Sequence, residues 1–517
     1  MPLSLKIPAL IDKPLLLAER RPQKIAQFIN NLPISNPLEA ASVLLEEMQI
    51  LNRQKVTPNI RVKTLEIYRP ALTNLVEMLT VQYCNTPLPL PQLAKKYAGA
   101  AQSLWLELSY GYKLALVDQQ NKLFSLGASK STSLVLQRAI EAMSQLAMVY
   151  YQTYVPAPGS IWGDLHQLYI YAAQQSLQGI EVPTGTGLNQ TTTVDVSYKQ
   201  ALLMALADPQ HLTPNDIQQV ADYIARHARH TQIQGLGLLK NPAGIFLISL
   251  DKDKPPIPYI KNIEQTDADN DVLFITVDLA RLAHKHLKIL QSGTLPGNGN
   301  LPENATDPRY QDMLTYLIKH WGASPQRIFN RSRKTNTVEL GIGIATAHYF
   351  VNGEQTYVAP AQAHDVTEIA ACASPAPDFS LQKFKPSRWQ VLNISAGGMA
   401  LRKFPQARGN IRVGELLSFK DNGASHWSVG ILCWVSNEHQ LEIGAQLIAS
   451  HQNKFEPVLL LAGVPTLKQP ASIIAACGMY SPARMLDLDE GGKISRVMVT
   501  KLIKRTSSFE HFQYSHL

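Results

Sequence analysis

The hydrophobic period of this chain changes once, near Gln232, and that change limits its possible folds more than any other feature. Before it, apolar residues recur at steps of three and four, the spacing of an amphipathic helix. NPLEAASVLLEEMQILNRQ is the first such segment, with Asn36 placed to act as its N-cap. After Gln232 the apolar residues alternate, or run in short blocks between turn residues, as strands do. With 517 residues, 45% of them hydrophobic and 17% charged, the chain folds and is long enough for several domains. The expected class is multidomain α+β: an N-terminal helical-hairpin domain, then an α/β segment, then an antiparallel β-barrel.

About seven helices are expected in the roughly 200 residues before the change, with no strand signal between them. Helices in series with short connections predict antiparallel hairpins. Trp162, Leu165, Leu168, Tyr169 and Ala172 have the spacing seen in tetratricopeptide-like hairpins, without a clean second copy, so the domain is repeat-like and not a regular array. It reads either as a partner-binding surface or as a closed bundle. Residues 1–35, punctuated by Pro2, Pro8, Pro14, Pro22 and Pro33, read as an extended lead-in. The expected boundaries are 1–232 for the helical domain and 233–325 for a small mixed α/β or barrel-like domain. The β-barrel follows over 326–450 and a C-terminal β segment over 451–517. That last segment completes the barrel or forms a second small one. An Ala/Pro/Gln-rich loop over 361–387 interrupts the strands.

Cys84, Cys372, Cys433 and Cys477 are far apart and form no CxxC, which argues against a disulfide framework or zinc ribbon and for a reducing compartment. The N-terminus is a poor signal peptide, and no run of about 18 apolar residues predicts a membrane span. A cytoplasmic protein is the expectation. The net charge of +8 favours an anionic partner.

Two stretches carry candidate chemistry. In WQVLNISAGGMAL a polar turn lies between apolar runs. Asn393 and Ser395 project from one strand end, and Gly397 and Gly398 permit a close approach. Upstream, Arg327 and Arg331 stand four apart and are followed by Arg333 and Lys334, with no carboxylate until Glu339. Guanidinium forks suit anionic oxygens, and their planes stack on purines.

RxxxR followed by [Asp/Asn]-x-Ser-x-x-Gly in a β context resembles the PilZ domain, the bacterial receptor module for cyclic di-GMP. IRVGELLSF, GILCWV and LEIGAQLI resemble the later strands of that family, and the resemblance covers about residues 326–450. It implies a non-catalytic cyclic di-GMP effector that couples ligand binding to protein contacts of the helical domain. By resemblance, Arg327 and Arg331 grip the phosphates and stack on guanine, with Arg333 beside them. Asn393 and Ser395 bond a guanine edge, and Gly397 and Gly398 leave room for the base. Asn393 stands where many members carry Asp. Asp accepts from two guanine N–H groups, whereas Asn offers one carbonyl, so a weaker grip is expected. The ligand is expected to order the RIFNR stretch at the junction and so reorient the helical domain.

Two other readings stand beside this one. A ligand-independent scaffold would keep the barrel as structure and bind a protein through the helices. Nucleic-acid binding would use Lys383, Lys385, Arg388, Arg402, Lys403, Arg408 and Arg412, but no obvious row of exposed aromatics accompanies them. His227 and His230, and the pair His284 and His286, read as solvated helix faces and not as metal ligands. GIGIA, Gly341 to Ala345, lacks a third glycine and a following helix, so it is no dinucleotide fingerprint. Asp487, Asp489 and Glu490 read as a solvated turn. No nucleophile elbow, phosphate loop, GGDEF or EAL sequence occurs, and no catalytic residue or cofactor is expected.

Overall fold

The computed structural model describes residues 3–84, 86–120, 129–184, 190–237, 243–259, 270–293, 301–322, 331–334, 336–355, 384–395, 397–407, 409–424, 426–450, 458–461, 470–475, 477–489, 494–506 and 508–517. The chain divides into two compact units, residues 1–86 with 90–326 and residues 87–89 with 327–517.

The first unit begins with helices α1 (Pro22–Asn30), α2 (Pro37–Asn52), α3 (Pro58–Cys84), α4 (Gln92–Gln120), α5 (Ser129–Thr153) and α6 (Ile161–Gln174). A short ribbon, β1 (Val182–Pro183) with β2 (Thr191–Thr192), leads to α7 (Val194–Leu206) and α8 (Pro214–His227). The seven helices α2 to α8 match the count read from the sequence. The lead-in differs, because Pro22 opens α1, where a proline's missing N–H costs nothing. Asn36 does occupy the N-cap of α2, but its side chain bonds Glu39 and not the backbone. Thr213 makes the fuller start signal: it and Asp216 form a reciprocal capping box on α8.

Helix α4 packs against α2, α3 and α5, and it buries charge with partners at the end of α2 and on α6. Lys113 Nζ lies 2.8 Å from Asp164, both nearly solvent-free, and Arg53 forks onto Glu107 at 2.8 and 2.9 Å. On α6, Trp162, Leu165, Leu168 and Ala172 are buried, while Tyr169 stacks on Tyr198 of α7 at 4.2 Å.

Apart from the β1–β2 ribbon, which the helical pattern gave no sign of, strands begin at the change of period near Gln232. Strands β3 (Gln232–Gly235), β4 (Ile245–Ser249), β5 (Ile257–Pro258) and β6 (Asp271–Ile275) form an open antiparallel sheet in the order β3-β6-β4-β5. It is followed by α9 (Val277–Gln291) and α10 (Pro308–Gly322). Of the two forms anticipated, this is mixed α/β and no barrel. Helices α9 and α10 pack on each other, and Trp321, fully buried, donates its indole N–H to Leu203 O of α7.

The second unit holds β7 (Ser332–Arg333), β8 (Thr337–Ile342), helix α11 (Ile344–Val351), β9 (Ser387–Ser395), β10 (Gly398–Lys403), β11 (Leu416–Asp421), β12 (Ser428–Asn437) and β13 (Leu441–Ser450). Strands β8, β9, β10, β13, β12 and β11 pair in a closed antiparallel ring, and β7 extends the β8 side of β9. Trp389, Val391, Leu401, Leu417, Val435 and Ile443 are buried in it.

The apolar run TVELGIGIATAHYFV, inside the stretch expected to be β, is a strand and then a helix. Gly343, with φ of 89°, ends β8, and α11 buries Ala347, Tyr349 and Phe350. An apolar run of that length does not distinguish the two periods. The helix that GIGIA was expected to lack is therefore present, although the third glycine is not.

The tail forms its own sheet from β14 (Leu459–Leu461), β15 (Ser472–Ala475), β16 (Met485–Asp489), β17 (Ile494–Arg505) and β18 (Glu510–His516), in the order β14-β15-β18-β17-β16. Its Leu461, Ile474 and Phe509 share a core with Leu416, Val429, Ile431 and Ala347, so part of the barrel's exterior is covered.

A candidate ligand face on the outside of the barrel

Residues 332–333 lie beside 393–394, and these beside 398–400, despite the sixty residues between the two motifs. Ser332 pairs with Ile394 and Arg333 with Asn393. On the other edge of β9, Asn393 pairs with Ala400 and Ser395 with Gly398. Ala400 in turn faces Gly444, and Gly444 faces Trp434. Arg333, Asn393, Ala400, Gly444 and Trp434 thus form one row across five strands, roughly 19 Å at the usual strand spacing.

Two irregularities decide which face this row occupies. Val391 pairs with Leu401 and Asn393 with Ala400, which leaves Leu392 as the extra residue of a bulge. On β12 Leu432 pairs with Ala445 and Trp434 with Gly444, which leaves Cys433 extra. The row Val391, Leu401, Ile443 and Val435 is buried, so it points inward. Strict alternation along β9 would have put Asn393 on the same side as Val391. The bulge turns it outward with Ala400, and the bulge at Cys433 does the same for Trp434. Asn393, Ser395, Gly397, Gly398 and Trp434 are all half-buried, and Arg331 and Arg333 are exposed.

The floor of this face is made of small residues. A Cβ at Gly444 would run into the Trp434 indole, so the ring lies directly over that glycine. A Cβ at Gly398 would collide with the Ala445 carbonyl oxygen of β13. Gly398 is therefore demanded by the barrel's own strand packing, quite apart from any ligand. The Ser395 hydroxyl donates to Gly398 O at 3.2 Å and closes the turn, and its lone pairs stay available as acceptors. Gln446, exposed, flanks Gly398 in the next row. At the opposite end Arg402 forks onto Glu442 at 2.9 and 2.7 Å. Burial pushes the Cys433 thiol above its usual range, so a reactive thiolate does not form beside the face.

Arg327, with its neighbours up to 330, lies outside the described residues, as do Lys383 and Arg408. The structure brings together Arg331 and Arg333 with Asn393, Ser395, Gly397 and Gly398. Sequence reasoning missed Trp434 and Gln446. GILCWV was read only as a strand, and the bulge that exposes its Trp has no signature in it.

The remaining candidates fall elsewhere. His227 and His286 are not solvated: both are buried and lie 5.1 Å apart around Tyr223, whose hydroxyl meets His286 Nδ1 at 3.0 Å. The helix-face reading failed there because α8 and α9 pack in the core on the faces that carry these rings. Among the described residues no group of three metal-binding side chains occurs. Asp487 and Asp489 lie on β16 and not in a turn, and Asp487, exposed, pairs with Arg496 at 2.8 Å. Glu490 lies outside the described residues.

A closed six-stranded barrel with Asn393, Ser395 and Gly398 on its outer face, in a chain that carries RxxxR upstream, defines a PilZ-domain protein. Family comparison agrees and extends the assignment over the chain. Residues 245–386 and 376–453 match the model for the middle PilZ domain of the cyclic-di-GMP receptor FimW, residues 23–240 match the N-terminal domain of the same receptor, and residues 443–517 match its C-terminal β-barrel domain. The three matches follow one another along the chain as N-terminal, middle and C-terminal domains. A similar protein is the cyclic-di-GMP receptor FimW of Pseudomonas aeruginosa, 23% identical over 99% of this chain and 93% of that protein.

Proposed function

We propose that this chain is a non-catalytic receptor for cyclic di-GMP and binds it on the outer face of the barrel. The observation that carries the reading is the row from Arg333 through Asn393, Ala400 and Gly444 to Trp434. A cyclic dinucleotide has two phosphates and two broad purines. It therefore needs cationic forks, a flat floor and a few base-edge partners, which is the chemistry this row brings to one side. Arg327, Arg331 and Arg333 hold the phosphates and stack on a purine. The Asn393 carbonyl and the Ser395 oxygen accept from a guanine edge. Gly397, Gly398, Ala400 and Gly444 keep the floor low, and the Trp434 ring offers a second stacking surface.

The helical domain is the partner-binding part in this proposal. The arginine stretch joins the two compact units in sequence, so ligand contacts there are suited to changing what the helices bind. The cytoplasm, where such a ligand would be met, is the proposed location. The nucleic-acid reading is less favoured, because Arg402 is already committed to Glu442.

Titration calorimetry with cyclic di-GMP on the full chain, and on Arg327→Ala with Arg331→Ala, tests the proposal. Saturable heat from the intact protein, lost in the double variant, is the expected result. No heat from the intact protein would sink it and leave the ligand-independent scaffold.

A further inference from the structure

The segment before α1 has neither helix nor strand, yet it is held in place. Gln54 clamps it at two points: its Oε1 accepts from the Ala18 N–H at 3.3 Å and its Nε2 donates to Leu16 O at 2.6 Å. Ile11 N–H donates to Arg53 O at 2.7 Å. Between these anchors the chain bends at Asp12–Lys13 and again at Leu15–Leu16. Leu15, Leu16 and Leu17 are 102%, 62% and 76% exposed, and Ile11 is 50% exposed, whereas Ala18 beside them is buried.

Single exposed leucines are ordinary, but three in a row on a pinned loop are not. The bend at Leu15–Leu16 turns neighbouring side chains to different sides. Three exposed neighbours therefore project from the body in more than one direction. A groove on another protein covers one side of such a loop, whereas fluid hydrocarbon surrounds all of it. The charge around the loop points the same way. Lys13, Arg20, Arg21, Lys24 and Lys55 are exposed beside it, against the carboxylates of Asp12, Glu19 and the half-buried Glu47. Glu19 is taken up by a fork from Arg21 at 2.9 and 2.6 Å, and Asp12 lies 3.4 Å from Lys55. Among the described residues Lys13, Arg20 and Lys24 form no ion pair.

We infer that the Leu15–Leu17 loop is a peripheral anchor for an anionic lipid surface. The leucines enter the headgroup–acyl boundary, and Lys13, Arg20 and Lys24 lie over the acidic headgroups. No described helix is long and apolar enough to cross a membrane, so the association is of the reversible, surface kind.

The test uses the full chain and sedimentation with large vesicles, either of phosphatidylcholine alone or with added phosphatidylglycerol. The intact protein is expected to bind the anionic vesicles better than the neutral ones, and less as salt rises. Replacing all three leucines, Leu15→Ser, Leu16→Ser and Leu17→Ser, is expected to weaken binding by about tenfold or more. Because these side chains are already in water, the triple variant should keep its melting temperature and its titration with cyclic di-GMP. Lys13→Glu with Arg20→Glu should also release the protein from anionic vesicles. Failure of the intact protein to bind, or equal binding by the triple variant, overturns the inference. So does concentration-dependent self-association without vesicle binding that the serines abolish, because the leucines would then belong to a second copy of the chain.

Discussion

Trp434→Ala separates ligand recognition from stability at the proposed site. The indole lies on the outer face, over Gly444, and is half-exposed. Truncating it opens the floor without leaving a closed interior cavity, so the stability cost should be about 1 kcal/mol or less. A base stacked on an aromatic ring is worth about 1–3 kcal/mol, so the dissociation constant for cyclic di-GMP should rise roughly 5- to 150-fold. Trp389→Ala supplies the contrast. That ring is 0% exposed inside the barrel, and its loss should cost about 3–5 kcal/mol of stability. Calorimetry and thermal melts on both variants check the pair. A Trp434→Ala protein that folds normally and binds within twofold of the intact chain would refute the stacking role.

Other substitutions test separate parts of the structure. Asn393→Asp should keep or strengthen ligand binding, since a carboxylate accepts from two guanine N–H groups, whereas Asn393→Leu should abolish it; unchanged calorimetry in the Leu variant would count against the base-edge role. Lys113→Met should destabilise the helical unit by about 3–5 kcal/mol, because it leaves Asp164 buried without its cation, and an unshifted melting temperature would contradict that. Burial and Lys504 hold His511 down to about 4, below its ordinary 6.5. Its neutral form is the folded form, so this contribution is complete above about pH 6.5 and is lost as the pH falls toward 4. At most about 3 kcal/mol is involved. Melts of the intact chain between pH 7.5 and 4.5 should fall more steeply than those of His511→Gln, and parallel curves would contradict this assignment.

The helical half was easier to read from the sequence than the mixed half. Helix α8 announces itself by Thr213, Pro214 and Asp216, which act through bonds among neighbouring residues. Strand β18 falls in the segment expected to be β but has no strand signal of its own, because FEHFQYSH mixes polar and aromatic residues and is stabilised by pairing with β15 and β17. Helix α11 lies inside the stretch expected to be β for a related reason: AHYFV satisfies either period, and its packing on β8 and β11 selects the helix. His227 and His286 show the same limit, since charge-rich neighbours in sequence gave no sign that another helix would bury them.

By itself the sequence determined the order of helical and β regions, the motif pair that identifies the PilZ domain, and the residue types available to meet a dinucleotide. These depend on local spacing and composition, which do not change on folding. Tertiary structure alone decided that Arg333 stands beside Asn393 and that Trp434 joins them. Each of those facts depends on strand register, and register is set by which strands pair and where they bulge. One extra residue at Leu392 and another at Cys433 move side chains from the barrel's interior to its outer face, and neither bulge leaves a mark in the local sequence.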